Sequence, residues 1–97
     1  MRRYQADPLP PIAAVYAAVT GRSIAGVSPR IDGSVVVSCP SERHNDRHPS
    51  CAVNVKKNVF YCRSCGVGGG VLDLPIVAGL SRNRRESAQL LRERGLL

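Results

Sequence analysis

Apolar side chains first acquire a period in this chain at Ile12, Val15, Tyr16 and Val19, which recur at i, i+3, i+4 and i+7 directly after Pro8, Pro10 and Pro11. That is the spacing of one helical face, so a short amphipathic helix is predicted over 12–20. A helix of that length is marginal in isolation, and its stripe, Tyr16 included, is expected to pack against the rest of the chain. After Gly21 the signals become those of strands. Residues 31–38 set an Asp32-Gly33 pair, which tolerates the positive φ of a tight turn, beside a β-branched run that ends at Cys39. Residues 51–55 and 59–62 flank the polar Lys56-Lys57-Asn58 step and read as a second hairpin. Gly68, Gly69 and Gly70 suggest a hinge or bend. No Gly-Lys-Ser/Thr follows them, so a plain loop is favoured over a phosphate loop. A short helix within 72–79 is limited by Pro75, which removes an amide and clashes with a preceding turn. A clearer final helix is framed by Asn83 with Glu86 three residues on, and by Gly95 at its end.

Four metal-type side chains punctuate the strand region as Cys39-x4-His44-x17-Cys62-x2-Cys65. Two short pairs separated by a long gap are what a closed tetrahedral zinc site needs, because each pair supplies two ligands and the gap lets the chain return. The competing use of the four cysteines is a pair of disulfides. Cys62 and Cys65 are too close in sequence to cross-link distant segments, and no export signal accompanies them. The basic Met1-Arg2-Arg3 and the apolar run over 12–19 only superficially resemble such a signal, since Asp7 and three prolines interrupt them. A cytoplasmic protein is expected, with no stretch near the roughly 20 apolar residues of a membrane span. At 97 residues burial alone leaves a fold marginal, so one structural zinc would contribute much of the stability.

Charge narrows the partner. Fourteen Lys and Arg face seven Asp and Glu, for a formal net charge of +7, which favours a polyanion over a merely soluble basic surface. Zinc held by three thiolates brings two positive charges and takes up three negative ones, so it scarcely alters that balance. The acidic residues, Asp7, Asp32, Glu42, Asp46, Asp73, Glu86 and Glu93, are scattered singly, and nucleotidyl transfer needs them clustered around divalent metal. Nothing in the sequence reads as a catalytic centre.

The segment CPSERHNDRHPSCAVNVKKNVFYCRSCGVGGGVLDL resembles the N-terminal zinc-binding domain of bacterial and phage DNA primases. That zinc ribbon carries Cys-Pro-x-His, an acidic-basic-x-Pro-Ser step, Cys-x2-Cys-Gly and Gly-Gly-x-Val-x-Asp. The resemblance is close over about half the chain and looser around it. It implies zinc ligation by Cys39, His44, Cys62 and Cys65. The gap from His44 to Cys62 agrees with the family's, whereas His48 would break it, and Cys51 falls where the family has an apolar strand residue, as a small buried hydrophobe. The sequence departs from the family in placing four residues rather than two between Cys39 and His44, and in putting Pro75 within an expected helix.

The resulting expectation is an α+β zinc ribbon, a small antiparallel sheet of two hairpins flanked by short N- and C-terminal helices. One domain would span 1–97, with the helix at 12–20, the ribbon at 28–66 and a helical segment at 70–97. The resemblance implies a non-catalytic domain that captures single-stranded DNA template and helps select primer start sites, beside a polymerase domain or a separate polymerase or helicase subunit. The contacts it implies are Arg43, Arg47, Lys56, Lys57, Phe60, Tyr61 and Arg63. Phe60 and Tyr61 are adjacent on a strand and face opposite ways, with Tyr61 favoured outward. Two rivals are a protein-docking module built on the helix after Asn83 and a duplex-DNA regulator, which fold analogy does not separate.

Overall fold

The computed structural model describes residues 9–24, 27–40 and 50–97. In chain order these form helix α1 (Ile12–Thr20), strands β1 (Ser34–Val37), β2 (Cys51–Asn54), β3 (Val59–Cys62) and β4 (Gly68–Gly70), and helices α2 (Leu74–Val77) and α3 (Arg84–Glu93). The four strands make one sheet in sequence order, every neighbouring pair antiparallel. This is the α+β zinc-ribbon architecture, with two features placed differently from the sequence expectation.

The Asp32-Gly33 turn is present but joins no two strands. It stands at the entrance to β1, closed by the Gly33 N–H on Arg30 O, and β1 pairs with β2 across the long connection between them. Gly33 is at φ 91°, where a Cβ would press into the Lys56 side chain, so glycine is needed for the turn to nestle against the β2–β3 connection. The second difference is that Gly68–Gly70, expected as a hinge, is strand β4, and the sheet therefore runs past residue 66. Glycine is a poor strand former, yet here its missing side chain is what permits pairing. A Cβ on Gly68 would sit 2.7 Å from Phe60 O, and one on Gly69, at φ 144°, would fall on the Asp73 carboxylate.

Strand register sorts the side chains onto two faces. Val35, Val53 and Phe60 align with Gly69, and Val37, Cys51 and Cys62 align beside them, all six side chains buried in the core. Helix α1 covers that face with Ile12, Val15 and Tyr16, and Leu74, Val71 and Leu91 complete the cluster. Pro75 is accommodated in the first turn of α2, where a missing amide costs nothing. Asn83 caps α3 by accepting the Glu86 N–H at 2.9 Å. Gly95 at φ 76° ends it, with Leu96 N donating to Leu91 O and Gly95 N to Arg92 O, the paired bonds of a Schellman stop. Arg94 then reaches back to Ala18 O at 2.8 Å, tying α3 to α1.

Candidate metal centre and outer sheet face

Three elements deliver the sulfurs. Cys39 lies two residues beyond β1, Cys62 ends β3, and Cys65 stands in the turn before β4. Their Sγ atoms all lie within 4.8 Å of one another, with Cys39 and Cys65 at 3.5 Å. Tetrahedral zinc with Zn–S bonds of about 2.3 Å spaces its sulfurs about 3.8 Å apart, so this group is already near a ligand arrangement. A disulfide would need about 2.0 Å, and none of the four cysteines is in a disulfide. Cys51 is buried in β2 and stands apart from the three-sulfur group, as a core side chain.

The Cys62–Cys65 turn is fixed by its own backbone. Gly66 N donates to Cys62 O at 2.9 Å and Cys62 N to Val67 O at 2.8 Å, with Gly66 at φ 72°. Ser50, the serine of the Pro-Ser step, places its Oγ 3.4 Å from Cys62 Sγ, and its backbone carbonyl accepts the Arg63 N–H. Burial opposes ionisation of Cys62. Hydrogen bonds from the Ser50 hydroxyl and the Cys65 backbone, then from the Cys39 and Cys65 thiols, outweigh it and bring the pKa down to about 6. A thiol ionised at neutral pH is a ready zinc ligand. Tyr16 OH donates to Ser38 O at 2.8 Å, steadying the chain immediately before Cys39 from the core side. Burial raises the phenol's pKa, so it stays a protonated donor.

His44, together with Arg43, Arg47 and His48, lies outside the described residues. Both flanks of that stretch are at the centre, through Cys39 and through Ser50 against Cys62.

The other expected contacts do not form one patch. Phe60 is corrected from a surface contact to a core residue: it is 3% exposed, because it shares the parity of Val35 and Val53 on the face that α1 covers. Tyr61 is 52% exposed on the opposite face, where Val36 and Val59 are also exposed. Val59 is two residues from Tyr61, so strand alternation implied it, whereas Val36 entered this face only through the pairing Val36–Ala52–Tyr61. Arg63 is exposed at the metal end of the sheet, and Lys56 and Lys57 are exposed at the other end, about 13 Å away at roughly 3.3 Å per strand residue. Lys56 Nζ is held by Ile31 O at 2.9 Å.

Three converging cysteines at the end of a four-stranded antiparallel sheet define a zinc-ribbon protein. Residues 30–87, well over half the chain, match the family model of the CHC2 zinc finger, and the chain belongs to that family, the N-terminal zinc domain of DnaG-type primases. No curated protein and no solved structure matched it. The family and the three-sulfur cluster together fit one structural zinc. The family's zinc domain is not catalytic by itself. Among the described residues no helix is long and apolar enough to cross a membrane.

Proposed function

We propose that this chain binds single-stranded DNA template for a primase and helps select where primers start, without catalysing a reaction of its own. The observation that carries the reading is the outer face of the sheet, where an exposed Tyr61 ring shares the surface with Val59 along its own strand and Val36 across Ala52, with basic residues at both ends. An aromatic ring on a rigid strand stacks an unpaired base, and flanking cations neutralise phosphates. His44 completes the zinc as fourth ligand beside Cys39, Cys62 and Cys65. A four-ligand site of this kind has no open position for substrate, so the ion acts by holding the ends of β1 and β3 together under the binding face. Arg63 supplies charge at the metal end and Lys57, with Lys56, at the other, and Arg43 and Arg47 add to the charge available to the strand. Primer synthesis itself then belongs to a polymerase domain or subunit in the same cytoplasmic replication machinery.

The test is fluorescence anisotropy of the zinc-loaded protein with labelled single-stranded and duplex DNA over a salt series. Preference for the single strand, with affinity falling as salt rises and lost on chelation, is expected. Absence of binding at low salt, or affinity unchanged by chelation, would overturn the reading.

A further inference from the structure

The sheet has a second basic feature, at the end away from the cysteines. There the turn over residues 30–33 leads into β1, the turn over 55–58 joins β2 to β3, and β4 leaves toward α2. Arg30 stands on the first turn and Lys56 and Lys57 on the second. Arg84, the first residue of α3, is brought to the end of β4 by Asp73. Asp73 Oδ1 and Oδ2 accept from the Arg84 guanidinium at 3.1 and 3.3 Å, and Oδ2 also accepts the Gly70 N–H at 2.9 Å. In the strand order β1-β2-β3-β4 these cations lie side by side along one rim of the sheet, spanning about 14 Å at roughly 4.8 Å per strand gap.

The rim is held in place before any ligand arrives. Arg30 N donates to Ser34 O and Arg30 O accepts from Gly33 N. Asn54 Nδ2 donates to Asp32 O, and Asn54 Oδ1 accepts the Lys56 and Lys57 amides. Lys56 Nζ spends one of its three donors on Ile31 O and keeps two. Among the described residues, the carboxylates that face these cations are already engaged: Asp32 accepts from the Ser34 hydroxyl and amide, and Asp73 is paired with Arg84. The Arg84 side chain is still 70% exposed. Ile31 is 97% exposed in the same turn as Arg30 and offers a sugar or base an apolar rest among the charges.

We infer that this metal-distal rim is a second nucleic-acid contact, in which Arg30, Lys57 and Arg84 hold successive phosphates of a single strand leaving the outer face past Val59. The inference rests on the single-strand reading above and extends its footprint across all four strands. Arg30 and Arg84 are the residues it adds. A strand that reaches only Tyr61 does not touch them, so their contribution depends on oligonucleotide length.

Oligothymidylates of about 6 and about 15 nucleotides, lengths spanning the usual footprint of single-strand modules, separate the two surfaces. Binding of the zinc-loaded chain to each is followed across a salt series for the parent, Arg30→Gln, Arg30→Gln/Arg84→Gln and Tyr61→Ala. For the long probe, the double variant is expected to flatten the slope of log affinity against log salt by roughly 1.4, about 0.7 for each lost phosphate contact, and Arg30→Gln by about half that. Both leave the short probe unchanged, while Tyr61→Ala weakens both probes. Arg30 makes its turn contacts through its backbone, so its single variant reads the rim without disturbing the fold. Parent and rim variants with the same slope on the long probe would overturn the rim alone. Failure of the parent to bind either probe would remove the single-strand reading and the rim with it.

Discussion

Phe60 and Tyr61 are sequence neighbours that the pleat sends to opposite fates, and substitution should separate fold from binding at this pair. Phe60→Ala removes a ring from the core opposite Val53 and is expected to cost about 3–5 kcal/mol, a large share of what so small a chain has. Tyr61→Ala should leave the melting temperature nearly unchanged while weakening single-strand affinity by about 1–3 kcal/mol. Thermal melts read beside anisotropy check both outcomes. Alternation made this pair legible in the sequence, but the direction of the alternation came from α1 covering one face. Gly69 was illegible. Its need for glycine comes from φ 144° and from Asp73 four residues on, which turns back to bind the Gly70 amide. Gly69→Ala would add backbone strain of about 1–3 kcal/mol to a clash with that carboxylate, and a depressed melting temperature is the expected readout.

At the scale of elements, the β2–β3 connection also builds the start of α1. Pro11 leads into α1 without a side-chain cap of its own, and Asn58, at φ 61° in the hairpin turn, supplies one from a distance. Its Oδ1 accepts the Ile12 N–H at 2.7 Å and its Nδ2 donates to Pro10 O at 3.0 Å. Asn58→Gly keeps the left-handed backbone and loses both bonds, so the two roles can be told apart. It is expected to destabilise by about 1–2 kcal/mol, whereas Asn58→Asp, which keeps the acceptor for Ile12, should cost less. Denaturant unfolding of the two variants measures the difference. Helix periodicity, the Asn83 cap and the Gly95 stop were readable because each depends on residues within one or two turns. The Asn58 bridge joins residues 46 and 48 positions apart, and β1 meets β2 across a connection whose turn chemistry carries no pairing signal. The Asp32-Gly33 pair marked a genuine turn, but a dipeptide does not say whether a second strand precedes it.

For the molecule as a whole, the metal closes a loop that the sheet alone closes weakly. Among the described residues β1 is an edge strand paired with β2, and the chain between them is long, so ordering it costs conformational entropy that a four-residue ladder offsets only in part. Cys39 fastens the end of β1 directly to the Cys62–Cys65 turn between β3 and β4, so zinc cross-links the two sides of the sheet at one end while α1 and Asn58 secure the other. The cysteine spacing made this centre readable from sequence alone, because a tight pair and a returning partner are fixed by coordination geometry. The support from Ser50 and Tyr16 arrives through tertiary approach and left no trace in the spacing. Structural zinc sites contribute on the order of 10–16 kcal/mol of apparent binding energy, comparable to the whole stability of a domain this size. Chelation is therefore expected to unfold the β1 side of the sheet cooperatively, seen as lost circular-dichroism signal and a large fall in melting temperature that zinc restores. Cys39→Ser, Cys65→Ser and His44→Ala should each lower bound zinc below one per chain. Cys51→Ser and His48→Ala should keep full stoichiometry, with Cys51→Ser paying only the smaller cost of a buried hydroxyl. Zinc retained at full occupancy in His44→Ala but lost in His48→Ala would move the fourth ligand to His48, and with it the path by which the chain passes from Cys39 back to Ser50.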